Sequence, residues 1–233
     1  MNNNKSKQLL LSIIGVMVLV VAVAGVSYAF FTYSRTGASN NVITAGKISF
    51  VFTDGDFINL TNHFPISTST GVALSGTDQT CTFTVTANTV SGATINYAVW
   101  AVPGDAASGV AAIDGTQFTS KFADSEVFVN IQSTASDTTH TAFSPAMTAS
   151  QGKAISTLST SASNGAAAPT NGKLLGTGTF TGTGANLTRS FTVRMWVDSS
   201  VVYVDDTTGT HHYTADAYSH LYYTMKIAVT AVQ

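Results

Sequence analysis

Charge, cysteine and glutamate are what this 233-residue chain has least of. Only 9% of its residues are charged, where an average soluble protein carries about 25%. Ten basic residues against twelve acidic ones give a formal net charge of −2. That balance excludes a basic nucleic-acid-binding domain of the usual kind. The single cysteine, Cys81, excludes an intrachain disulfide framework and a cysteine-rich metal site. Glu126 is the sole glutamate, and no H-E-x-x-H occurs. Hydroxyls replace the missing charge: 36 Thr and 25 Ser. Threonine is stiff at χ1 and suits pleated, half-exposed surfaces, so the composition points to β structure. An apolar share of 44% still allows a sizeable core. The length fits one large domain or two small ones.

Charge is absent altogether between Lys7 and Arg35. Two lysines, Lys5 and Lys7, precede the apolar run Leu9 to Gly25, which is followed by Ser27-Tyr28-Ala29. A basic start, an apolar stretch and small residues at −3 and −1 form a secretory leader, with cleavage expected between Ala29 and Phe30. The alternative is an uncleaved anchor, since the uncharged stretch could span a bilayer needing about 20 apolar residues. A type IV pilin leader would need a glutamate that residues 8–34 lack. Either surviving version places residues 30–233 outside the cytoplasm, secreted or at the cell surface. Removing residues 1–29 leaves 8 basic against 12 acidic residues, or −4.

Strict alternation marks the exported part. Cys81, Phe83, Val85 and Ala87 alternate with Thr82, Thr84 and Thr86. Phe191 to Val197 and Tyr223 to Ala231 repeat the pattern, and such a period of two belongs to strands with one buried face. Ile48 to Phe52, Ile95 to Val102, Val127 to Ile131 and Lys173 to Phe180 are further candidates. The only expected helix of the mature chain is short, near 116–125, with Asp114 as its N-cap. Seven or more strands predict an all-β, jelly-roll-like β-sandwich behind a hydrophobic leader helix. Residues 42–233 are expected to form a single domain with a Ser/Thr/Ala-rich surface insertion at about 133–172.

Candidate chemistry is sparse. His211 and His212 are adjacent, so on a strand they face opposite sides and cannot supply the one-turn pair of a zinc peptidase. They are expected in a polar, solvated connection. Asp54, Asp56, Asp205 and Asp206 are acidic loop pairs with weak potential for Ca²⁺, and ordinary turn chemistry explains them as well. Asn59 and Asn186 open N-x-T glycosylation patterns. Cys81 shares a strand face with Phe83 and Val85 and reads as a core residue. Trp100 lies in an apolar run. Trp196 is expected on the outer face if Met195 points inward, where it would serve an interface. No catalytic residue, cofactor or firm metal site follows, and the expectation is a protein that is not an enzyme.

The first exported residues, Phe30, Phe31 and Tyr33, precede a polar run ending at Asn41. Aromatics at a free N-terminus either tuck into their own sandwich or insert into a neighbouring subunit as a donated strand. Three blocks bear on that choice. SYAFFTYSRTGASNNVITAGKISFVF carries a short aromatic start and a T-A-G-x-(I/L) strand; FINLTNHFPIS and CTFTVTANTVSGATINYAVWAV follow, and YYTMKIAVTAVQ closes the chain. In order and spacing these resemble the TasA and camelysin family of secreted biofilm-matrix proteins, over residues 9–102 and the last dozen. The chain departs from the family in carrying far less charge and a different middle.

The resemblance implies a jelly roll, a leader cut by a dedicated signal peptidase, and assembly into extracellular fibres. In those fibres the N-terminal segment of one subunit completes the sheet of the next. On this chain the donor would be residues 30–41, with Phe30, Phe31 and Tyr33 at the subunit interface. The expected partners are copies of itself and the peptidase during export, with no nucleic acid, and with membrane contact through the leader alone. A membrane-anchored monomeric adhesin or carbohydrate-binding module is the alternative, and a camelysin-like metallopeptidase a more distant one.

Overall fold

The computed structural model describes residues 58–232 apart from 62, 77, 105–119, 205–210 and 215–220, together with the backbone of three earlier strands. The expected leader helix, residues 1–29, lies outside the described residues. The chain divides into two compact units, Met1–Tyr33 and Ser34–Gln233, and it is the second that the strands build.

In chain order the strands are β1 (Tyr33–Thr36), β2 (Asn41–Ala45), β3 (Ile48–Thr53) and β4 (Ile58–Thr61). A one-turn helix, α1 (Thr68–Gly71), follows, then β5 (Thr80–Asn88), β6 (Thr94–Pro103), β7 (Ser120–Lys121), β8 (Val127–Ala135), β9 (Thr141–Pro145) and β10 (Lys153–Ala154). After a 3-10 turn (Ile155–Thr157) come β11 (Lys173–Thr181), β12 (Asn186–Val197), β13 (Val202–Val204), β14 (His211–Tyr213) and β15 (Leu221–Val232). The described residues are nearly all β; two large, mainly antiparallel sheets curl into a jelly-roll-like sandwich, and β13 and β14 form a separate parallel pair. The first sheet runs β1-β15-β6-β11-β9, with β4 and β7 also on β15; the second runs β10-β8-β12-β5-β3-β2.

Alternation explains the second sheet directly. Along β5 and β12 every second residue is buried: Cys81, Phe83, Val85 and Ala87 on one strand, Leu187, Phe191, Val193 and Met195 on the other. Their register sets Phe83 opposite Phe191, with rings stacked at 4.9 Å. Tyr97 of the first sheet meets the Phe191 ring edge-on at 6.3 Å, closing the core between the layers. Arg189 takes an inward position on β12 and is 8% exposed. It reaches across the sandwich to donate to the Thr141 carbonyl at 2.8 Å, and within its own sheet to Ser133 Oγ at 2.8 Å. Hydrogen bonds of that kind are what a buried cation requires.

Alternation fails on β6 and β15 because their outer face is covered too. Ala98, Trp100 and Ala228 form a second small cluster with Ala166 of the Ser/Thr/Ala-rich segment. Asn164 Nδ2 pins that segment to the Tyr97 carbonyl at 2.8 Å, and Leu174 N–H donates to Ser159 O at 2.7 Å. Strands covered on both faces read as continuous apolar runs, as Tyr97–Ala101 does. The insertion is thus a roof over Trp100.

Two expectations are corrected. The described end of the expected 116–125 helix is strand β7 followed by a turn, held parallel to β15 through Leu221 and Tyr222. Pairing to a sheet edge won there over local helix propensity. Trp196 does occupy the outer face opposite Met195, yet it is fully buried. Gly71 of α1 and Gly152 lie so close above it that a Cβ added at either would stand 2.3 or 2.4 Å from an indole carbon, far inside van der Waals contact.

Candidate functional site

β15 is the strand on which separate segments converge. One of its edges is taken by β6 over Met225–Val232, with the short β7 pairing parallel at Leu221 and Tyr222. Its other edge is taken by β4 over Tyr222–Met225. β1 also neighbours β15 in the sheet order. β6 fills one edge and β4 pairs the other only as far as Met225, so Lys226–Val232 is the stretch of that second edge beyond β4. That stretch alternates the inward Ile227 and Val229 with the outward Ala228 and Thr230, all buried. A strand leaving this edge would expose a row of unpaired N–H and C=O groups.

A polar cluster sits near the start of β15. Glu126, in the turn before β8, is 1% exposed. Its Oε2 accepts from Ala123 N–H at 2.8 Å, and its Oε1 accepts from the Tyr213 hydroxyl at 2.7 Å and lies 3.3 Å from His211 Nδ1. Asp124 Oδ1 accepts from the Tyr223 hydroxyl at 2.7 Å, and Lys121 Nζ stands 4.7 Å over the Tyr223 ring. Burial, reinforced by the bond to Glu126, pushes the Tyr213 phenol up to about 12. Burial and the Asp124 carboxylate push Tyr223 upward as well. These carboxylates act as acceptors that fasten β14 and β15 to the turn at 123–126.

A second carboxylate hub holds Trp196. Asp198 accepts from Trp196 Nε1 at 2.9 Å, Thr68 Oγ1 at 2.7 Å, and Ser200 N–H and Oγ at 2.9 and 2.6 Å. Burial alone would raise its pKa, but the bonds from Ser200, Trp196 and Thr68 outweigh that and hold it below the usual carboxylate range.

The other residues singled out in the sequence scatter. Ser27, Ala29, Phe30 and Phe31 lie outside the described residues, as do Asp54, Asp56, Asp205 and Asp206; Tyr33 opens β1. Asn59 is half-buried in β4, its N–H donating to Asp78 O at 3.3 Å. Asn186 is exposed at the start of β12, where its Oδ1 accepts from Asn88 Nδ2 at 2.8 Å. Cys81 is buried in the core. His211 and His212 are on strand β14 and diverge, the first toward Glu126 and the second toward Tyr203, with rings 5.3 Å apart. Among the described residues no group of three His, Cys, Asp or Glu side chains could hold a metal ion. No helix among them is long and apolar enough to cross a membrane. Sequence reasoning missed the Glu126–His211 pair, because 84 intervening residues separate groups that the sheets bring together. Comparison with protein-family models, curated proteins and solved structures finds no match.

Proposed function

We propose that this chain is an exported structural subunit that polymerises into extracellular surface or biofilm-matrix filaments by donating its N-terminal strand, as in the TasA and camelysin family that its sequence resembles. The observation that carries the reading is the β15 edge. β4 stops pairing at Met225, and β1, a short strand from the candidate donor segment 30–41, neighbours β15 in the same sheet. An edge that takes the chain's own β1 can take the same strand from a neighbour. Exchange in that direction is head-to-tail and does not close, so it builds a filament. Secretion, cleavage after Ala29 and a non-enzymatic role belong to the same reading. The adhesin alternative is weakened by the burial of both Trp100 and Trp196, which removes them as a sugar-stacking platform.

A peptide of residues 30–41 offered to the chain starting at Val42 tests the edge. Saturable binding, abolished when Val229 is changed to proline and a backbone donor is lost from β15, is the expected result. A Val42 chain that remains folded and does not take the peptide contradicts the reading.

A further inference from the structure

The outer face of the second sheet has two halves. Over Trp196, Phe128 and Asn130 it is roofed by α1 and by the loop at 148–152, whose carbonyls at Thr148 and Gln151 accept from Asn130 Nδ2 at 3.2 and 2.8 Å. Beyond Arg194, whose Nε donates to Leu74 O at 2.7 Å, the outward side chains are exposed or half-buried among the described residues, with Gln132 Nε2 still tied to the roof at Ala149 O, 3.1 Å away. There the register aligns three rows across β5, β12 and β8: Thr82–Thr192–Gln132, Thr84–Ser190–Thr134, and Thr86–Thr188 with Ser136 just past the end of β8. All nine are exposed or half-buried. Within the rows Thr84 and Ser190 hydroxyls are 3.3 Å apart, and Thr86 and Thr188 hydroxyls 3.4 Å apart.

We propose that this uncharged hydroxyl face is where copies of the chain meet side by side, so that filaments bundle through it. The inference rests on the filament reading. Three features of the face select a second copy as the occupant. None of its nine residues carries charge, whereas the exported chain is net negative at 8 basic against 12 acidic residues. Copies therefore approach here without the repulsion that their net charge imposes elsewhere. Each hydroxyl both donates and accepts, so a face made of hydroxyls is complementary to itself. Twisted sheets also stack on one another at about −30°, and a two-fold axis sets one patch against its own copy.

Size fixes when the contact operates. Three strands about 4.8 Å apart and three alternate residues along each span roughly 300 Å², well under the ~800 Å² per partner of a stable complex. Single subunits therefore stay apart. A filament repeats the patch, and avidity makes up what each contact lacks.

The test is electron microscopy of the exported chain beside the variant T84E/S190E/T134E, with thermal melting to establish that the variant is folded. Bundled filaments from the parent and single filaments of unchanged width from the variant are expected. Ala142→Glu, a charge added on the exposed edge strand β9 of the other sheet, should leave bundles intact. Folded variant filaments that still bundle overturn the proposal. So do parent filaments that never bundle, bundles that Ala142→Glu disperses equally, or bundles that form only when a polysaccharide is added, which would assign the face to a glycan. In each of those cases the filament reading stands. Absence of any filament from the parent brings down both.

Discussion

Each sheet buries one tryptophan on its outer side, and the two are held by opposite means. Trp100, in the first sheet, donates Nε1–H to the neutral hydroxyl of Thr230 at 2.8 Å, under small residues of the Ser/Thr/Ala-rich segment. Trp196, in the second, donates to the Asp198 carboxylate at 2.9 Å, under a roof in which Gly71 and Gly152 lie against the ring. The roof over Trp100 is a long excursion poor in large apolar residues, and what it excludes is water. The roof over Trp196 is a network in which Thr68 and Ser200 bind the same carboxylate as the indole. The first site is held by packing and one neutral hydrogen bond. The second adds a charge, and with it a dependence on pH.

Truncation should separate the two most strongly. Trp196→Ala removes a buried indole at a cost of about 3–5 kcal/mol, and it also deprives Asp198 of a donor at about 1–3 kcal/mol. Trp100→Ala should cost about 3–5 kcal/mol for its indole and only about 0.5–1.5 kcal/mol more for the neutral hydrogen bond to Thr230. Chemical denaturation of the two variants measures the difference, and equal losses would erase the distinction. Overfilling the second roof is next in size. Gly152→Val should destabilise by about 1–3 kcal/mol, because the indole and its roof must move apart, with a lowered melting temperature as the readout.

The pH contrast is smaller and more specific. Asp198 has a depressed folded pKa, so its stabilisation is complete above the ordinary carboxylate value near 4 and is lost as pH falls through the lower folded value. In Trp100→Phe, where Trp196 is the sole indole, acidification should shift the fluorescence before global unfolding; in Trp196→Phe it should not. Asp198→Asn should abolish that acid step and cost about 2 kcal/mol at neutral pH. At the alkaline end Tyr213 has a raised pKa of about 12. Its contribution is intact below the unfolded value near 10 and disappears as pH rises through about 12. Glu126→Gln, which weakens the acceptor for Tyr213, should move that loss to lower pH, as tyrosinate absorbance against pH would reveal.

The same contrast marks what was legible in the sequence. Thr82 to Ala87 and Phe191 to Val197 announced their strands because one face of each is buried and the side-chain period is two. Met195 inward and Trp196 outward also followed from that period. Burial of Trp196 did not, since it depends on Gly71 and Gly152, which are remote in sequence and reach the ring only through the fold. Trp100 was legible as buried because its whole neighbourhood is apolar. The carboxylate clusters were illegible for a third reason: Glu126, His211 and Tyr213 form no local pattern, and only the antiparallel pairing of β8 with β12 together with the parallel pairing of β13 with β14 gathers them. The open stretch of β15 was not legible. An aromatic N-terminal segment suggests either a self-docked or a donated strand, but that β4 pairs β15 only as far as Met225 appears only in the register.

The central claim is that residues 30–41 occupy that edge in a neighbouring subunit. Negative-stain microscopy of residues 30–233 beside the chain starting at Val42, both at neutral pH, tests it most directly. The account predicts filaments from the longer form and monomers from the shorter. Monomers from both, or filaments from both, would contradict it.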